Sequence, residues 1–490
     1  MSRLLRRSAL LLAVALAACL AYGGWMLARL APIGSAYAAK MLCSGVFVSG
    51  REPASVIAED ILADNTALLR LVQVEADRTR QRTSATFLGF ARREAQFRPA
   101  LGCTLAIGMQ ISQPSETRAP VADDATPLPL PVGPPEDDVD RQALEAAVDW
   151  AFGEPQPERL RRTRAVVVVH RGRIVAERYA AGFTPDTPLP GWSMTKTVAA
   201  LLTGMLVGNG RISLESRSLV PEWRQPGDRR SELTLDQLLR MTDGLAFDES
   251  YDDPLSDVML MLLATGDAAG FAVNKPLRAL PGASWRYANG TTNALARALR
   301  EVVDARDVSG FLRRSLFDRI GLRHAVLEPD AAGTPVLSSF MHATPREWAT
   351  VGQFLLQDGV WRGERLVPEG WVRYMRVPTP QCERRDFGAH LWLKVPEPFA
   401  SVPATPHELP PDAFHLAGHE GQLVSVIESR DLVVVRMGLS RLRYTWDHEA
   451  FLARVVQAFS PKQPQDERAR KVNSQPARPL TKLVVCARAL

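Results

Sequence analysis

The chain has 490 residues, 46% of them hydrophobic and 23% charged, which is the composition of a globular protein with a real core. Its net charge is +5, mostly from arginine, and the basic runs lie at the extreme N-terminus and in the tail. Because no zinc-finger, RNP-like or basic-helix pattern accompanies them, a nucleic-acid partner is not expected.

Residues 1–39 are predicted to be a targeting segment. The basic start MSRLLRR precedes a hydrophobic run of about 20 residues, which is typical of an uncleaved membrane anchor. The pattern Ala36-x-Ala38 is typical of a cleaved signal peptide instead, and a lipoprotein box ending at Cys19 is a weaker third reading. Each reading places the rest of the chain outside the cytoplasm, in the periplasm, because the arginines stay inside.

Residues 40–111 are predicted to form a small N-terminal segment. ASVIAEDILADNTALL has helical periodicity, and RLVQVEADRTRQRTSATFLGF alternates like a β-hairpin. Cys43 and Cys103 flank this segment, and we expect a disulfide between them in an oxidising compartment. Residues 112–140 are rich in proline and acidic residues, which predicts a linker.

Residues 141–460 are predicted to form the main domain, followed by a disordered tail at 461–490. RQALEAAVDWAF opens it as a helix, RAVVVVHRGRIVAERYAAGF follows as a hairpin, and GQLVSVIESRDLVVVRMGL is a second hairpin near the end. Helical periodicity dominates between them, as in LTLDQLLRMTDGL and TPREWATVGQFLLQDG. Strands at both ends with helices between predict an α/β (α+β) fold whose sheet joins distant segments.

The stretch GWSMTKTVAALLTGML contains Ser193 and, three residues later, Lys196. Ser193 could simply cap the helix that follows. Alternatively, the two side chains share one helical face, where a lysine of lowered pKa can take the serine proton. Desolvation or the positive end of a helix would lower that pKa. The chain has only seven lysines and otherwise uses arginine, which cannot act as a base.

Two further motifs follow along the chain. Tyr287 and Asn289, after a Pro-Gly turn, form either a loop with a buried aromatic residue or a phenol and a carboxamide that face one cavity. Beside a lysine ammonium, the phenol would ionise more easily and could exchange protons with the serine or the leaving group. In HEGQ, His419 has no partner four residues on, so the H-E-x-x-H metal motif fails. Gly421 suits close backbone approach, and the N–H of Gln422 could help to bind an oxyanion.

Ser-x-x-Lys, Tyr-x-Asn and His-x-Gly, in this order, resemble the serine hydrolase family of class C β-lactamases. Within that family's fold, the sequence is most similar to carboxylesterases and 6-aminohexanoate-dimer hydrolases, and penicillin-binding proteins are related to the family as well. LTLDQLLRMTDGL is similar to the family's LLxMxSGL turn, with Asp243 at the serine position, and the resemblance covers about residues 141–460. It implies a β-lactamase/penicillin-binding-protein-like fold, with an antiparallel sheet flanked by helices plus a helical lobe, and a site in the cleft between them.

The resemblance also implies roles for single residues. Ser193 would be the acylated nucleophile, Lys196 its general base and Tyr287 a second proton-transfer residue. Asn289 would orient the lysine and the substrate, and no metal or cofactor would be needed. His419 stands where true β-lactamases usually have the lysine of Lys-Thr-Gly. Because histidine is mostly neutral at pH 7, this position offers no permanent positive charge to a substrate carboxylate, which makes substrates that require one less expected.

The sequence therefore predicts an exported serine hydrolase that cleaves an ester or amide bond in a small molecule. Its other partner would be the inner membrane, if the N-terminal segment is not cleaved. Two alternatives stay open: a true β-lactamase or cell-wall D-peptidase, and a catalytically silent binding module of the same fold.

Overall fold

The computed structural model describes residues 3–111, 130–303, 308–401 and 408–459. Within these ranges the chain forms a central antiparallel sheet between helices, a helical lobe beside it, and an N-terminal segment that packs against both. The predicted fold class is confirmed. The predicted tail at 461–490 and most of the predicted linker lie outside the described residues.

The predicted helix RQALEAAVDWAF is present as Arg141–Phe152, whereas the helix predicted in ASVIAEDILADNTALL is α-helical only at Pro53–Ser55 and continues as a π-helix at Val56–Leu62. The helices are α1 (Arg3–Cys43), α2 (Pro53–Ser55), α3 (Arg141–Phe152), α4 (Thr195–Gly208), α5 (Leu235–Leu239), α6 (Asp257–Leu263), α7 (Ala268–Val273), α8 (Asn289–Val302), α9 (Val308–Leu312), α10 (Asp318–Ile320), α11 (Pro345–Leu356), α12 (Trp371–Met375) and α13 (His448–Gln457). The strands are β1 (Val72–Asp77), β2 (Arg82–Phe87), β3 (Phe90–Arg98), β4 (Gly102–Leu105), β5 (Thr163–His170), β6 (Arg173–Tyr179), β7 (Leu189–Pro190), β8 (Val326–Leu327), β9 (Met341–Ala343), β10 (Val360–Trp361), β11 (Glu364–Arg365), β12 (Phe414–Gly418), β13 (Gln422–Ile427) and β14 (Leu432–Gly438).

The central sheet joins the two ends of the main domain. Its strand order is β12-β13-β14-β5-β6, and every neighbouring pair is antiparallel. Valines fill β5 and β14, where Val168 lies opposite Val434, because β-branched side chains pack well on a pleated surface. Both predicted hairpins are therefore present, and together they form one sheet.

Helices cover both faces of this sheet. On one face α3 and α13 pack against the buried side chains of Val166 and Val168, and on the other face α4 and α11 pack against those of Val167 and Val169. The contact with α11 is close, since a Cβ added at Gly352 would lie 2.4 Å from a methyl carbon of the sheet. The start of α4 thereby lies under the β12–β13 end of the sheet.

The helical lobe contains α5 to α10. Its first helix, α5, starts with a capping box in which Thr234 and Gln237 satisfy each other's backbone N–H groups. The longest helix of the lobe, α8, packs against α7, α5 and α4. Because α8 begins at Asn289, its first residue faces the start of α4.

The two halves of α1 have different surroundings. Leu10 to Leu20 are exposed, whereas Ala36, Ala38 and Leu42 are fully buried. By length and composition alone, the apolar first half suffices to cross a membrane, which is compatible with a signal anchor or a signal peptide. The expected domain boundary between residues 39 and 40 falls inside this continuous helix.

The N-terminal segment has a core of its own. The second half of α1 packs against a four-stranded antiparallel sheet, β1 to β4, whose β1–β2 pair is the predicted hairpin. Cys43 at the end of α1 and Cys103 in β4 form the expected disulfide. The segment also contacts the main domain, where Lys40, Ser44 and the N–H of Cys103 all bind the buried carboxylate of Glu328.

Candidate active site

Ser193 lies in the 3-10 turn Trp192–Met194, directly before α4. The residue that caps α4 is Met194, which makes no side-chain cap, so the reading of Ser193 as the helix cap is wrong. Instead, Oγ of Ser193 accepts a hydrogen bond of 2.9 Å from Nζ of Lys196. The i, i+3 spacing brings the two side chains together at the start of the helix.

Lys196 is enclosed by oxygen atoms and is only 2% exposed. Its Nζ donates hydrogen bonds to Oγ of Ser193, to Oδ1 of Asn289 and, at 2.8 Å, to the carbonyl oxygen of Ser338. The last two acceptors carry no proton. The ammonium form donates to all three oxygens. Once the amine has lost a proton, its two N–H groups can keep the bonds to the proton-free oxygens and its lone pair can accept the serine proton.

Burial controls the charge of Lys196. Desolvation lowers the pKa of its amine from the ordinary 10.5, because the ammonium loses its hydration. The negative charge of Glu249 acts in the opposite direction but does not cancel the effect. Both causes considered from the sequence are present, since Lys196 is buried and lies in the first turn of α4. A group that is usually a permanent cation is thus able to release and accept a proton.

Glu249 and Tyr251 also belong to the site, although no sequence motif points to them. The Glu249 carboxylate accepts hydrogen bonds from the backbone N–H of Asn289 at 2.8 Å and from its Nδ2 at 2.6 Å. The Tyr251 hydroxyl donates to the same carboxylate at 3.1 Å. Because Nδ2 faces the carboxylate, Oδ1 of Asn289 must face Lys196. Both new residues lie in DESYDD, which reads like any solvated acidic loop.

Tyr287 completes the polar cluster around the serine. Its ring centroid lies 5.0 Å from Nζ of Lys196, and its hydroxyl is close enough to Ser193 for the serine to favour the ionised phenol slightly. Trp392 stacks on the ring at 5.5 Å. The expectation that this phenol ionises more easily is wrong: burial raises its pKa, and the charge of Glu249 adds to the rise. Tyr287 therefore keeps its proton and is suited to donate it.

His419 lies at the mouth of the site, with its side chain 47% exposed. The imidazole stacks on the Tyr251 ring at 5.3 Å and meets the Trp192 ring edge-on at 5.6 Å. Partial burial against these rings lowers its pKa, so the ring is mostly neutral at pH 7. The position that the family resemblance assigns to a cation therefore carries none.

Gly421 and Gln422 lie at the start of β13, beside the turn that carries the serine. The end of β12 comes so close to this turn that a Cβ added at Gly418 would lie 2.1 Å from the carbonyl oxygen of Gly191. Gly421 has φ +85°, a conformation that favours glycine. The expected oxyanion residues and the serine turn are thus adjacent.

The polar cluster carries no candidate metal centre in the part of the chain that the structure describes. No group of three or more histidine, cysteine, aspartate and glutamate side chains lies in a position to hold a metal ion there. Next to His419, the carboxylate of Glu420 is bound by Nε of Arg441 at 2.6 Å instead.

In hydrolases with the β-lactamase fold, a polar cluster lies at the start of a helix between an antiparallel sheet and a helical lobe. The protein has this arrangement and falls into that class. The sequence model of the Beta-lactamase family matches residues 142–445, and the chain belongs to this family.

Individual relatives agree with this assignment. The 6-aminohexanoate-dimer hydrolase of Paenarthrobacter ureafaciens is 28% identical over 222 residues, which are 43% of this chain and 56% of that protein. The match thus spans little more than half of the relative's length.

Solved structures show the same fold. A family VIII carboxylesterase has a TM-score of 0.50 and 16% identity over 66% of this chain and 98% of its own. A penicillin-binding protein homolog from Caulobacter crescentus has a TM-score of 0.50 and 18% identity, with the same coverage of 66% and 98%. At such low identity the likeness extends to the fold alone.

Proposed function

We propose that this protein is an exported serine hydrolase that cleaves an ester or amide bond through an acyl-enzyme on Ser193. The observation that carries the proposal is the enclosure of Lys196. Its Nζ contacts the serine hydroxyl at 2.9 Å, while two proton-free oxygens take its other hydrogen bonds. A buried amine of lowered pKa in this position is a general base for the serine.

The reaction begins with transfer of the Ser193 proton to Lys196, while the serine oxygen bonds to the substrate carbonyl carbon. The carbonyl oxygen becomes an oxyanion, which the backbone N–H groups of Ser193 and Gln422 bind. Tyr287 then gives its proton to the leaving alcohol or amine as the carbon–heteroatom bond breaks, and Lys196 restores the phenol. Water attacks the acyl-enzyme by the same proton path in reverse and releases the acid.

The neutral His419 argues for substrates without an obligatory carboxylate. A β-lactam or a D-peptide carries a carboxylate that a fixed cation would bind, and the imidazole supplies no such charge at pH 7. Aromatic rings, those of Trp192 and Tyr251, line this side of the site instead. We therefore propose that the substrates of the enzyme are simple esters and amides.

The packing of α1 supports the proposed location of the protein. Cleavage at Ala36-x-Ala38 would cut a helix whose residues Ala36, Ala38 and Leu42 are fully buried, and would remove part of the core of the N-terminal segment. This favours an uncleaved anchor with the hydrolase on the periplasmic side. Membrane fractions washed with alkaline carbonate should retain the full-length chain. A soluble form that begins after Ala38 would refute the anchor.

The proposed activity is tested with matched ester, amide and cephalosporin substrates on wild type and on Ser193→Ala. We expect ester or amide turnover in the wild type and none in the variant, together with labelling of the wild type alone by a fluorophosphonate probe. Preferential cephalosporin turnover would favour the β-lactamase alternative. A folded wild-type protein that neither turns over nor reacts with the probe would identify a silent binding module.

A further inference from the structure

Two non-glycine residues beside the serine have a left-handed backbone. Trp192, directly before Ser193, has φ +47°, and Glu420, directly before Gly421, has φ +62°. Such conformations are strained for residues with a Cβ and persist only where the surroundings hold them in place. Both strained residues flank backbone that the proposed reaction uses to bind the oxyanion.

The side chains of these two residues are joined. Nε1 of Trp192 donates a hydrogen bond of 3.3 Å to Oε2 of Glu420, and Oε1 of the same carboxylate accepts one of 2.6 Å from Nε of Arg441. Glu420 and Arg441 are almost completely buried, with side chains 6% and 8% exposed. The carboxylate thus connects the serine turn to the start of β13.

Arg441 in turn is held by the N-terminal segment. Its Nη1 donates to the carbonyl oxygen of Ala63 at 2.6 Å, and its Nη2 donates to the carbonyl oxygen of Asp60 and to the Tyr37 hydroxyl at 3.0 Å. The Tyr37 hydroxyl also donates to the Asp60 carbonyl oxygen at 3.0 Å. These acceptors all lie in residues 37–63, outside the part of the chain that matches the β-lactamase family.

We propose that the N-terminal segment is a working part of the active site, and that Tyr37, Arg441 and Glu420 are positioning residues for the oxyanion-binding backbone. Tyr37 holds the Arg441 side chain in place, Arg441 holds the Glu420 carboxylate, and Glu420 holds the Trp192 side chain. None of the three positioning residues takes part in the chemistry. The inference rests on the proposed hydrolase activity, and it predicts a loss of rate rather than of substrate affinity.

The test compares Tyr37→Phe, Arg441→Lys and Glu420→Gln in the full-length protein. Tyr179→Phe is the matched control, because it also removes a partly buried tyrosine hydroxyl, which on β6 donates to the Glu177 carboxylate. We expect kcat for an activated ester to fall about 10-fold or more in the three variants with KM nearly unchanged, since small misplacements of reacting groups are costly. The control should keep the wild-type kcat.

A double variant separates positioning from general loosening. If the residues act in series, Tyr37→Phe should add little to the loss already caused by Glu420→Gln. The inference would be overturned if Tyr37→Phe and Glu420→Gln both kept the wild-type kcat. It would also be overturned if the losses multiplied in the double variant, or if only KM rose. If Arg441→Lys does not fold, the kcat values of Tyr37→Phe and Glu420→Gln suffice to test the inference. Activity retained in Ser193→Ala would refute the proposed function itself, which is a distinct outcome.

Discussion

Replacing Glu249 by glutamine keeps the size of the side chain and removes its charge. The carboxylate accepts two hydrogen bonds from Asn289, at 2.8 Å from its backbone N–H and at 2.6 Å from its Nδ2. A glutamine has one carbonyl oxygen in place of two carboxylate oxygens, so one donor loses its acceptor or meets an NH₂ group. A buried unsatisfied donor costs about 1–3 kcal/mol. If the transition state carries that cost, acylation slows by roughly 5- to 150-fold.

The same substitution shifts the pH dependence in a defined direction. Acylation rises with pH as Lys196 loses its proton, and the midpoint of this rise follows the pKa of its amine. In its ionised form Glu249, whose own pKa is raised by burial, raises the pKa of Lys196 against the lowering that burial causes. Without the charge the pKa falls further, so the midpoint must move to lower pH while the plateau rate decreases.

The assay is the pre-steady-state burst with an activated ester, measured across pH for wild type and Glu249→Gln. Glu145→Gln, on the exposed face of α3, removes the same charge far from Lys196 and serves as the control. A midpoint that moves to higher pH would refute the electrostatic reasoning. An unchanged plateau would refute the role of Glu249 in orienting Asn289.

Three further outcomes are expected. Lys196→Arg should slow acylation by about 10²-fold or more, because a guanidinium cannot release its proton; near-normal bursts would leave Tyr287 as the base. Tyr287→Phe should slow release of a poor leaving group more than that of an activated one, since only the former needs the phenol proton; equal losses with both esters would contradict this role. Replacing Cys43 and Cys103 by serine should lower the free energy of unfolding by about 4 kcal/mol for a separation of 60 residues, as measured by urea titration, and an unchanged value would contradict it.

Much of the fold could be predicted because local patterns and tertiary packing agree. The valine-rich runs of β5 and β14 are strands by propensity and by burial alike, and the Thr344–Glu347 capping box marks the start of α11 in sequence and in structure. Ser193 and Lys196 are also predictable, because a three-residue spacing on a helix decides their proximity.

The remaining features depend on contacts between distant segments. Glu249 differs from neighbouring acidic residues only because it reaches Asn289, 40 residues later. The rise of the Tyr287 pKa depends on burial by distant segments and on the charge of Glu249, and no motif encodes either of them. Arg441 binds backbone carbonyl groups of the N-terminal segment, and any sequence provides such carbonyls.

The acyl-enzyme can be observed directly by mass spectrometry of the reaction with an activated ester, quenched in acid during the burst. We expect one acyl group per chain, located by peptide mapping on the peptide that contains Ser193, and no adduct in Ser193→Ala. An adduct on a different residue, or an unchanged burst in Ser193→Ala, would contradict the proposed mechanism.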